Sequence, residues 1–356
     1  MKFGLSFLPD ASPETKSPED YFSEAIKLCS LAEEAEFHTI KMTEHYLHPY
    51  GGYCPSPLIF LTAIAARTRK IRLMTGCILP AFHHPIQIAA ETALLDCLSS
   101  GRLDVGFGRA YLPYEFEAFG IDLDNSRERY TKTIQAVLDL WKNPKTSCST
   151  EYFSFENATS FPTVNQKPHP PVWGAAVNSR QSFAWLGEQG FNLLISAPFG
   201  GIENILPFLD IYRSSFAEHN PLKSPKIAVS LPLIINELHE RAIEQSDLYL
   251  ARYLNTWASA TKEWNTISSR DYPKYHGMSN LLLAASPETM RKNHQAIVGC
   301  PEYVLEKVHF LKELLNIDQI MWQIDFGSQP FEISQKSLEL FAKDVMPAIL
   351  YQEVNK

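Results

Sequence analysis

The sequence predicts an α/β protein of the (β/α)8 TIM-barrel class. Eight short, apolar, β-prone segments alternate along the 356 residues with segments of helical length and periodicity. Regular alternation of this kind is typical of parallel sheets whose strands are joined by helices. The predicted strands are Phe3–Leu8, Thr39–Met42, Ile71–Ile78, Leu103–Phe107, Val172–Ala176, Leu193–Ser196, Ile227–Ile235 and Gln319–Ile324.

Turn and capping residues locate the helices between these strands. Pro85 stands where a helix can begin and Gly101 where one can end, so the chain between the third and fourth strands is predicted to be helical. The predicted helices are Pro18–Ala35, Pro57–Arg69, Pro85–Leu98, Ser126–Trp141, Ser179–Gln189, Glu203–Glu218, a long segment from Leu238 to about Tyr249 and beyond, and Phe331–Val345.

A doubly wound open sheet is the alternative fold. Its dinucleotide-binding form places GxGxxG after the first strand, whereas Phe7-Leu8-Pro9-Asp10 follows here. The nearest match, Gly106-Phe107-Gly108, lacks the third glycine. The barrel is therefore favoured.

We expect one domain over residues 1–356, with two insertions. The first, about 148–171 after the fourth barrel strand, alternates aromatic residues and then becomes proline-rich, which predicts a small hairpin and an extended segment. The second, about 251–301 after the seventh strand, predicts either a lid over the barrel or a surface excursion without function. It contains Trp257, Trp264, Tyr272, Tyr275 and His276.

Composition excludes several classes of function. A net charge of −8 without a basic, aromatic-interleaved face weighs against nucleic-acid binding. The apolar run at the N-terminus ends at Pro9-Asp10 and is too short for a membrane span. Six scattered cysteines without CxxC spacing predict reduced thiols in a cytoplasmic protein. His45 and His48 form HxxH without a third ligand, so no metal site is expected.

Two predicted helices, Pro57–Arg69 and Pro85–Leu98, are apolar over more than one face. One face of each packs on the barrel, and the surplus apolar surface is better buried against a second copy of the chain than exposed to water. A homodimer is therefore predicted.

Polar residues follow the second strand at the barrel rim. Glu44 and His45 lie there, and a histidine at this position suits a general acid/base or a ligand hydrogen bond. A structural histidine at a strand end is an equally good interpretation of His45.

A phosphate site is predicted at the ends of the fourth and fifth strands. Arg109 and Arg127 follow the fourth strand, and guanidinium groups bind phosphate in a two-point fashion. Ser179 begins a helix just after the fifth strand, with Ser182 on its first turn, and free amides at a helix start bind anions. Because these strands are neighbours, the arginines and the helix start should converge.

With these residues in place, the chain resembles the bacterial luciferase-like flavin monooxygenases, and most closely the luciferase α subunit. The likeness extends over essentially the whole chain. It is carried by MKFG at the start, Glu44-His45, Thr75 through His84-Pro85, Ser99–Gly108, Phe119-Gly120, Asp124-Asn125-Ser126-Arg127 and Asp344-Val345-Met346-Pro347.

The resemblance implies FMN, delivered as FMNH2 by a separate NAD(P)H:flavin reductase, because no nicotinamide-binding fingerprint is present. By the same resemblance, His45 matches the catalytic histidine of the family, accompanied by Glu44, and Glu115 matches an acidic residue close to the flavin ring. The remaining matches are Arg109, Arg127, Ser179 and Ser182 at the phosphate, Asn178 in place of a phosphate-site glutamate, Gly76-Cys77 at a non-prolyl cis peptide against the flavin, and Ser196 near the isoalloxazine.

Other positions depart from luciferase. Gly108 replaces a reactive cysteine, Tyr46 a second histidine and Ala197 a tryptophan beside the flavin. These departures weigh against light emission and against a long-chain aldehyde substrate.

The resulting hypothesis is a two-component FMN-dependent monooxygenase. It would use FMNH2 and O2, through a C4a-(hydro)peroxyflavin, to hydroxylate a small organic substrate such as a natural-product intermediate, or to oxidise it by Baeyer–Villiger insertion. The alternatives are a deazaflavin (F420)-dependent hydride-transfer dehydrogenase on the same fold and a non-catalytic flavin-binding partner subunit.

Overall fold

A computed structural model describes residues 1–196 and 200–354. Ala197 lies outside the described residues. The strands, numbered in chain order, are β1 (Lys2–Phe7), β2 (Thr39–Met42), β3 (Arg72–Thr75), β4 (Leu103–Phe107), β5 (Thr146–Ser149), β6 (Ser154–Ala158), β7 (Val172–Ala176), β8 (Asn192–Ser196), β9 (Ile227–Ile235), β10 (Ile297–Gly299) and β11 (Gln319–Gln323).

Eight parallel strands close into a barrel in the order β1-β2-β3-β4-β7-β8-β9-β11, and β11 pairs with β1. Alternate residues of each strand face the helices or the barrel interior. Leu5 and Leu73 pack outward against the helical layer, whereas Met74, Trp173 and Met321 form a separate apolar cluster inside. The (β/α)8 class predicted from the sequence is confirmed.

Helices follow the barrel strands and surround them. Proline at the first turn and a side-chain cap begin several helices; Ser17, Ser56 and Ser179 each accept a hydrogen bond from the amide three residues on. The helices are α1 (Pro18–Glu34), α2 (Pro57–Arg67), α3 (Pro85–Leu98), α4 (Pro113–Ala118), α5 (Ser126–Lys142), α6 (Arg180–Glu188), α7 (Leu206–His219), α8 (His239–Ala260), α9 (Met278–Ala284), α10 (Pro287–Lys292), α11 (Pro301–Leu315), α12 (Phe331–Leu340) and α13 (Met346–Val354).

The third strand is shorter than the predicted Ile71–Ile78. Thr75 ends β3 because its hydroxyl donates to the carbonyl of Gly106, at 2.9 Å, and accepts from the amide of Gly106, at 2.8 Å, in place of the regular ladder. The cis Gly76–Cys77 bond follows. Ile78 then returns to a single bridge with Phe107 on β4. Both the strand end and the cis bond lie at the mouth of the barrel.

The first insertion contains the predicted hairpin. Strands β5 and β6 pair in antiparallel fashion, beginning at Thr146, two residues before the predicted boundary. The proline-rich segment that follows leads into β7 and contains two cis X-Pro bonds, at Phe161-Pro162 and Lys167-Pro168.

The second insertion contains elements that the sequence did not predict. Helix α8 continues to Ala260, and α9, α10 and the short strand β10 follow. Because β9 is nine residues long, its second half is free to pair with β10, while its first half pairs with β11. Helix α11, also unpredicted, then returns the chain to β11.

Across residues 1–196 and 200–354, no helix combines the length and apolarity that crossing a membrane requires.

Candidate active site

A large cavity opens at the carboxyl ends of the barrel strands. It encloses about 1480 Å³, counting its solvent-open mouth. Residues from the strand ends and from the second insertion line it together. Ligand sites of TIM barrels lie at this face, so the cavity is the candidate active site.

The predicted arginines and serines converge at one side of this cavity. Arg127 Nη1 and Nη2 donate to the hydroxyls of Ser182 and Ser179, both at 3.3 Å. Ser179 caps α6, and Arg109, Ser179 and Ser182 line the cavity. We call Arg109, Arg127, Ser179 and Ser182 the cationic corner.

One nitrogen of the Arg109 guanidinium, Nη1, is available to a ligand. Its Nη2 donates to the Asp271 carbonyl at 3.0 Å, and its guanidinium lies over the Tyr272 ring, 4.1 Å from the ring centroid. Its Nη1 is 3.8 Å from Asp271 Oδ2, too far for a hydrogen bond, and has no hydrogen-bond partner among the described residues. A buried charged donor without an acceptor suits a ligand anion.

Asp271, from the second insertion, contacts the cationic corner. Its carboxylate accepts hydrogen bonds from the Arg127 amide at 2.9 Å and the Ser126 hydroxyl at 3.1 Å, at the start of α5. The insertion is thereby attached to the elements that carry the arginines.

His45 is held in the cavity wall by Glu115. His45 Nδ1 is hydrogen-bonded to Glu115 Oε1 at 3.1 Å, and the Tyr46 amide donates to the same oxygen at 2.9 Å. His45 lines the cavity, whereas Glu115, fully buried on α4, lies behind it. Glu115 therefore reaches a ligand through His45 rather than directly.

Glu44 belongs to a second buried network. Its Oε1 accepts from the Tyr46 hydroxyl at 2.8 Å and pairs with His83 Nε2 at 2.7 Å, while Oε2 accepts from the Leu79 amide at 3.1 Å. Burial opposes protonation of His83, but the hydrogen bond and charge of Glu44 raise the His83 pKa. With its oxygens engaged in this way, Glu44 is better placed to fix the loop after β2 than to exchange protons with a ligand.

The side chain of Lys41 lies so close to Gly76 that a larger residue would not fit at this position. A Cβ atom at Gly76 would lie 2.1 Å from Lys41 Cγ and 2.3 Å from Lys41 Cδ. The lysine stem therefore passes directly over the Gly76–Cys77 peptide. Cys77 is buried, and burial raises the pKa of its thiol to about 12, so it is an unreactive thiol.

The structure brings most of the predicted site residues to one cavity. Arg127 and Glu115 do not line it but are hydrogen-bonded to residues that do. The predicted residues that line the cavity are Glu44, His45, Gly76, Cys77, Arg109, Asn178, Ser179, Ser182 and Ser196.

The second insertion covers the barrel mouth. Trp264 Nε1 donates to the Tyr111 carbonyl at 2.9 Å, and Trp257 Nε1 to the Tyr111 hydroxyl at 3.0 Å. Trp257, Tyr275 and Met290 line the cavity. Of the two interpretations left open by the sequence, this placement favours a lid.

Several cavity residues were not predicted from the sequence. Lys41, Ser6 and Gln323 occupy strand positions that line the cavity, and Asp271, from the insertion, contacts the cationic corner without lining the cavity. A lysine between Ile40 and Met42 in an otherwise apolar strand was the available signal. Nothing in the sequence near Asp271 indicates its partners, which lie about 145 positions away.

The described part of the chain holds no group of three or more His, Cys, Asp or Glu side chains arranged for a metal ion. His48 Nε2 instead lies 3.2 Å from the Ser259 hydroxyl.

Comparison with known proteins identifies the family. The model of the luciferase-like monooxygenases matches residues 1–316. The oxygenase component of the flavin-dependent trigonelline monooxygenase of Acinetobacter baylyi is 27% identical over 370 aligned positions, covering 100% of this chain and 98% of that protein.

Solved structures of two monooxygenases share the fold of this chain. Monooxygenase RslO1 from Streptomyces bottropensis is 32% identical with a TM-score of 0.83, covering 98% of this chain and 100% of that one. The oxygenating constituent of 3,6-diketocamphane monooxygenase from Pseudomonas putida, a type II Baeyer–Villiger enzyme solved with FMN, has a TM-score of 0.80 at 20% identity and covers 98% of each chain. At that identity it shows the shared fold.

The family match and the named relatives thus identify a flavin-dependent oxidoreductase on a TIM barrel. The chain belongs to the luciferase-like monooxygenase family, as the resemblance of its motifs implied.

Proposed function

We propose that the protein is the oxygenase component of a two-component FMN-dependent monooxygenase. It would receive reduced FMN from a separate NAD(P)H:flavin reductase and use O2 to oxidise a small organic substrate. The observation that carries this proposal is the cationic corner, where a buried Arg109 nitrogen lacks a hydrogen-bond acceptor among the described residues beside the start of α6. The A. baylyi relative, an oxygenase component by name, supports the two-component arrangement.

The residues present fit the phosphate of FMN. Arg109, Arg127, Ser179 and Ser182 would hold it, since they combine two guanidinium groups with two hydroxyls and the amides of a helix start. Gly76, Cys77 and Ser196, which line the same cavity, would face the ring system, with Asn178 beside the phosphate. When bound, FMN would supply the electrons and the reaction with O2.

The protein's own contribution to chemistry would centre on His45. Because Nδ1 is held by Glu115, Nε2 is the nitrogen left to exchange a proton with a ligand. Tyr50 and Tyr111 pack around the imidazole, with ring centroids 5.4 and 6.2 Å away, and restrict water near it. The second insertion would exclude further water when substrate is bound.

We also propose a homodimer formed through α2 and α3. Ile59 on α2 is 76% exposed, and Leu94 and Leu98 on α3 are 49% and 56% exposed. The two helices pack against each other, so these side chains belong to one region of the surface. An apolar patch of this kind supports an interface with a second copy.

The test of function combines the purified protein with FMN, a flavin reductase, NADH and 18O2. The substrates are a panel of aromatic and alicyclic ketones and N-heteroaromatic compounds. Mass spectrometry should find a product carrying one 18O atom, and the position of that atom would distinguish hydroxylation from Baeyer–Villiger insertion. His45→Ala should abolish the product while retaining FMN, whereas the exposed His219→Ala should change neither.

Two results would contradict the proposal. Substrate-dependent reduction of F420 without O2, in the absence of FMN binding, would identify a hydride-transfer dehydrogenase. FMN binding without turnover on any substrate, restored only by a second type of chain, would identify a partner subunit.

A further inference from the structure

A second polar cluster lies inside the barrel, away from the cationic corner. Ser6, Lys41 and Gln323 stand on β1, β2 and β11, three adjacent strands. Strand pairing places Ser6 beside Lys41 on one side and beside Gln323 on the other. Residues paired in register on parallel strands share a face, and all three line the cavity. We call them the lumen triad.

Lys41 is a buried cation without a counter-ion. It is 8% exposed and lines the cavity, and within the described ranges 1–196 and 200–354 the charges that act on its ammonium do so without a hydrogen bond. Burial lowers its pKa, and the opposing effect of Cys77 and Asp325 acts through charge alone, without a hydrogen bond to the ammonium. A buried ammonium is costly unless an anion pairs with it, so this group suits an anionic ligand.

Gln323 adds a second unpaired donor. Its side chain is 6% exposed, and Nε2 has no hydrogen-bond acceptor in the described part of the chain. Together with the Ser6 hydroxyl, the triad presents a cation, an amide and a hydroxyl to the cavity. This donor set matches the oxygens of a carboxylate.

The lumen triad and the cationic corner lie on nearly opposite walls of the barrel. The corner follows β4 and β7, and it is separated from the triad by β3 on one side and by β8 and β9 on the other. A single phosphate cannot satisfy both. Both groups line the same cavity, so a ligand at the triad would lie beside a cofactor whose phosphate is held at the corner.

We propose that the lumen triad binds the carboxylate of the substrate, and hence that this enzyme oxidises an organic carboxylate. The inference rests on the proposed function, because it assigns the cationic corner to the cofactor phosphate. Lys41 would act as a specificity-determining residue that pairs with the carboxylate, and Ser6 and Gln323 would donate hydrogen bonds to it.

Binding of matched probes to the FMN-loaded protein tests this inference without turnover. The probes are three pairs of equal shape: benzoate and benzamide, nicotinate and nicotinamide, hexanoate and hexanamide. Calorimetry should show that the carboxylate of at least one pair binds at least about tenfold more tightly than its amide. Lys41→Met, which keeps the stem over Gly76, should remove that preference and leave amide binding within about twofold.

Controls separate charge from folding. Lys336→Met makes the same substitution on the surface of α12, where the lysine pairs with Glu237, and should keep the preference. Gln323→Glu keeps the shape of the side chain but replaces a donor of the lumen triad by a carboxylate that repels a ligand carboxylate, so it should also remove the preference. This second variant keeps the test decisive if Lys41→Met does not fold.

Two outcomes would overturn the inference while leaving the proposed function intact. One is equal binding of acid and amide in all three pairs, or a preference that survives in both Lys41→Met and Gln323→Glu. The other is a Lys41→Met protein whose FMN affinity or midpoint potential changes while carboxylate binding does not, because the ammonium would then face the cofactor. Failure of FMN itself to bind the wild-type protein would instead refute the proposed function.

Discussion

Replacing Arg109 by Met gives the sharpest test of the cofactor assignment. The substitution removes a guanidinium whose side chain is 13% exposed and keeps a stem of similar width. The protein itself satisfies this guanidinium incompletely, since Nη1 lacks a hydrogen-bond partner among the described residues. The bound phosphate should therefore gain a contact that the free protein does not have to break.

The expected magnitude follows from that contact. One hydrogen bond to a charged group contributes about 1.5–3 kcal/mol, and a buried, preorganised donor belongs in the upper half of that range. A loss of about 2–3 kcal/mol corresponds to an FMN dissociation constant weakened about 30- to 150-fold. Riboflavin has no phosphate, so its affinity should change by less than about twofold.

Quenching of flavin fluorescence measures both affinities, and the four values form a double-mutant cycle between the arginine and the phosphate. Arg67→Met on α2, where the exposed side chain donates to the Ala63 carbonyl, serves as the matched control and should leave both ligands unaffected. Equal weakening of FMN and riboflavin in Arg109→Met would refute the assignment, because the arginine would then shape the cavity rather than bind the phosphate.

Three further variants test other parts of the structure. Burial raises the pKa of Asp325 to about 7 from an ordinary 3.8, so the folded protein should lose stability as pH rises from about 4 to 7. Asp325→Asn should remove that decline and increase stability at pH 8 by up to about 4 kcal/mol, and melting curves from pH 5 to 8 that match the wild type would contradict it. Gly76→Ala should displace Lys41 and lower stability by about 1–3 kcal/mol, partly restored by Lys41→Ala. If the proposed dimer forms, Leu94→Glu should reduce the mass found by light scattering from that of a dimer to that of a monomer; a dimer mass retained by the variant would exclude α3 from the interface.

The barrel strands could be predicted because their burial on both faces leaves a strong sequence pattern. Each predicted barrel strand overlaps an observed one, and Leu103–Phe107 and Ile227–Ile235 match to the residue. The error at Ile71–Ile78 has a local cause, since the Thr75 hydroxyl replaces the ladder just before the cis bond. The three residues of β10 are too short for any periodic signal, and their pairing follows from the length of β9, whose last three residues extend beyond its pairing with β11.

Some residues of the candidate site could likewise be predicted from the sequence, and others could not. Arg109 and Ser179 were predictable because they follow neighbouring strands, and the connectivity of a barrel places such residues on one rim. Lys41 was not, because a lone lysine in a short strand gives no indication whether it faces the helices or the lumen until the register with Ser6 is known. Asp271 meets Arg127 through the fold of the insertion, which no local pattern encodes.

The unsatisfied groups of the cavity connect stability with function. Arg109 Nη1 and Gln323 Nε2 are buried and lack a hydrogen-bond partner among the described residues, and the charges that act on the Lys41 ammonium do so without a hydrogen bond. They lie on two walls of one cavity, and His45 opens into the same space after β2. A fold that needed them only for packing would be more stable without their charges and amides. Their joint placement is explained if two anionic groups, one from a cofactor and one from a substrate, complete the cavity together and hold the reacting atoms between them.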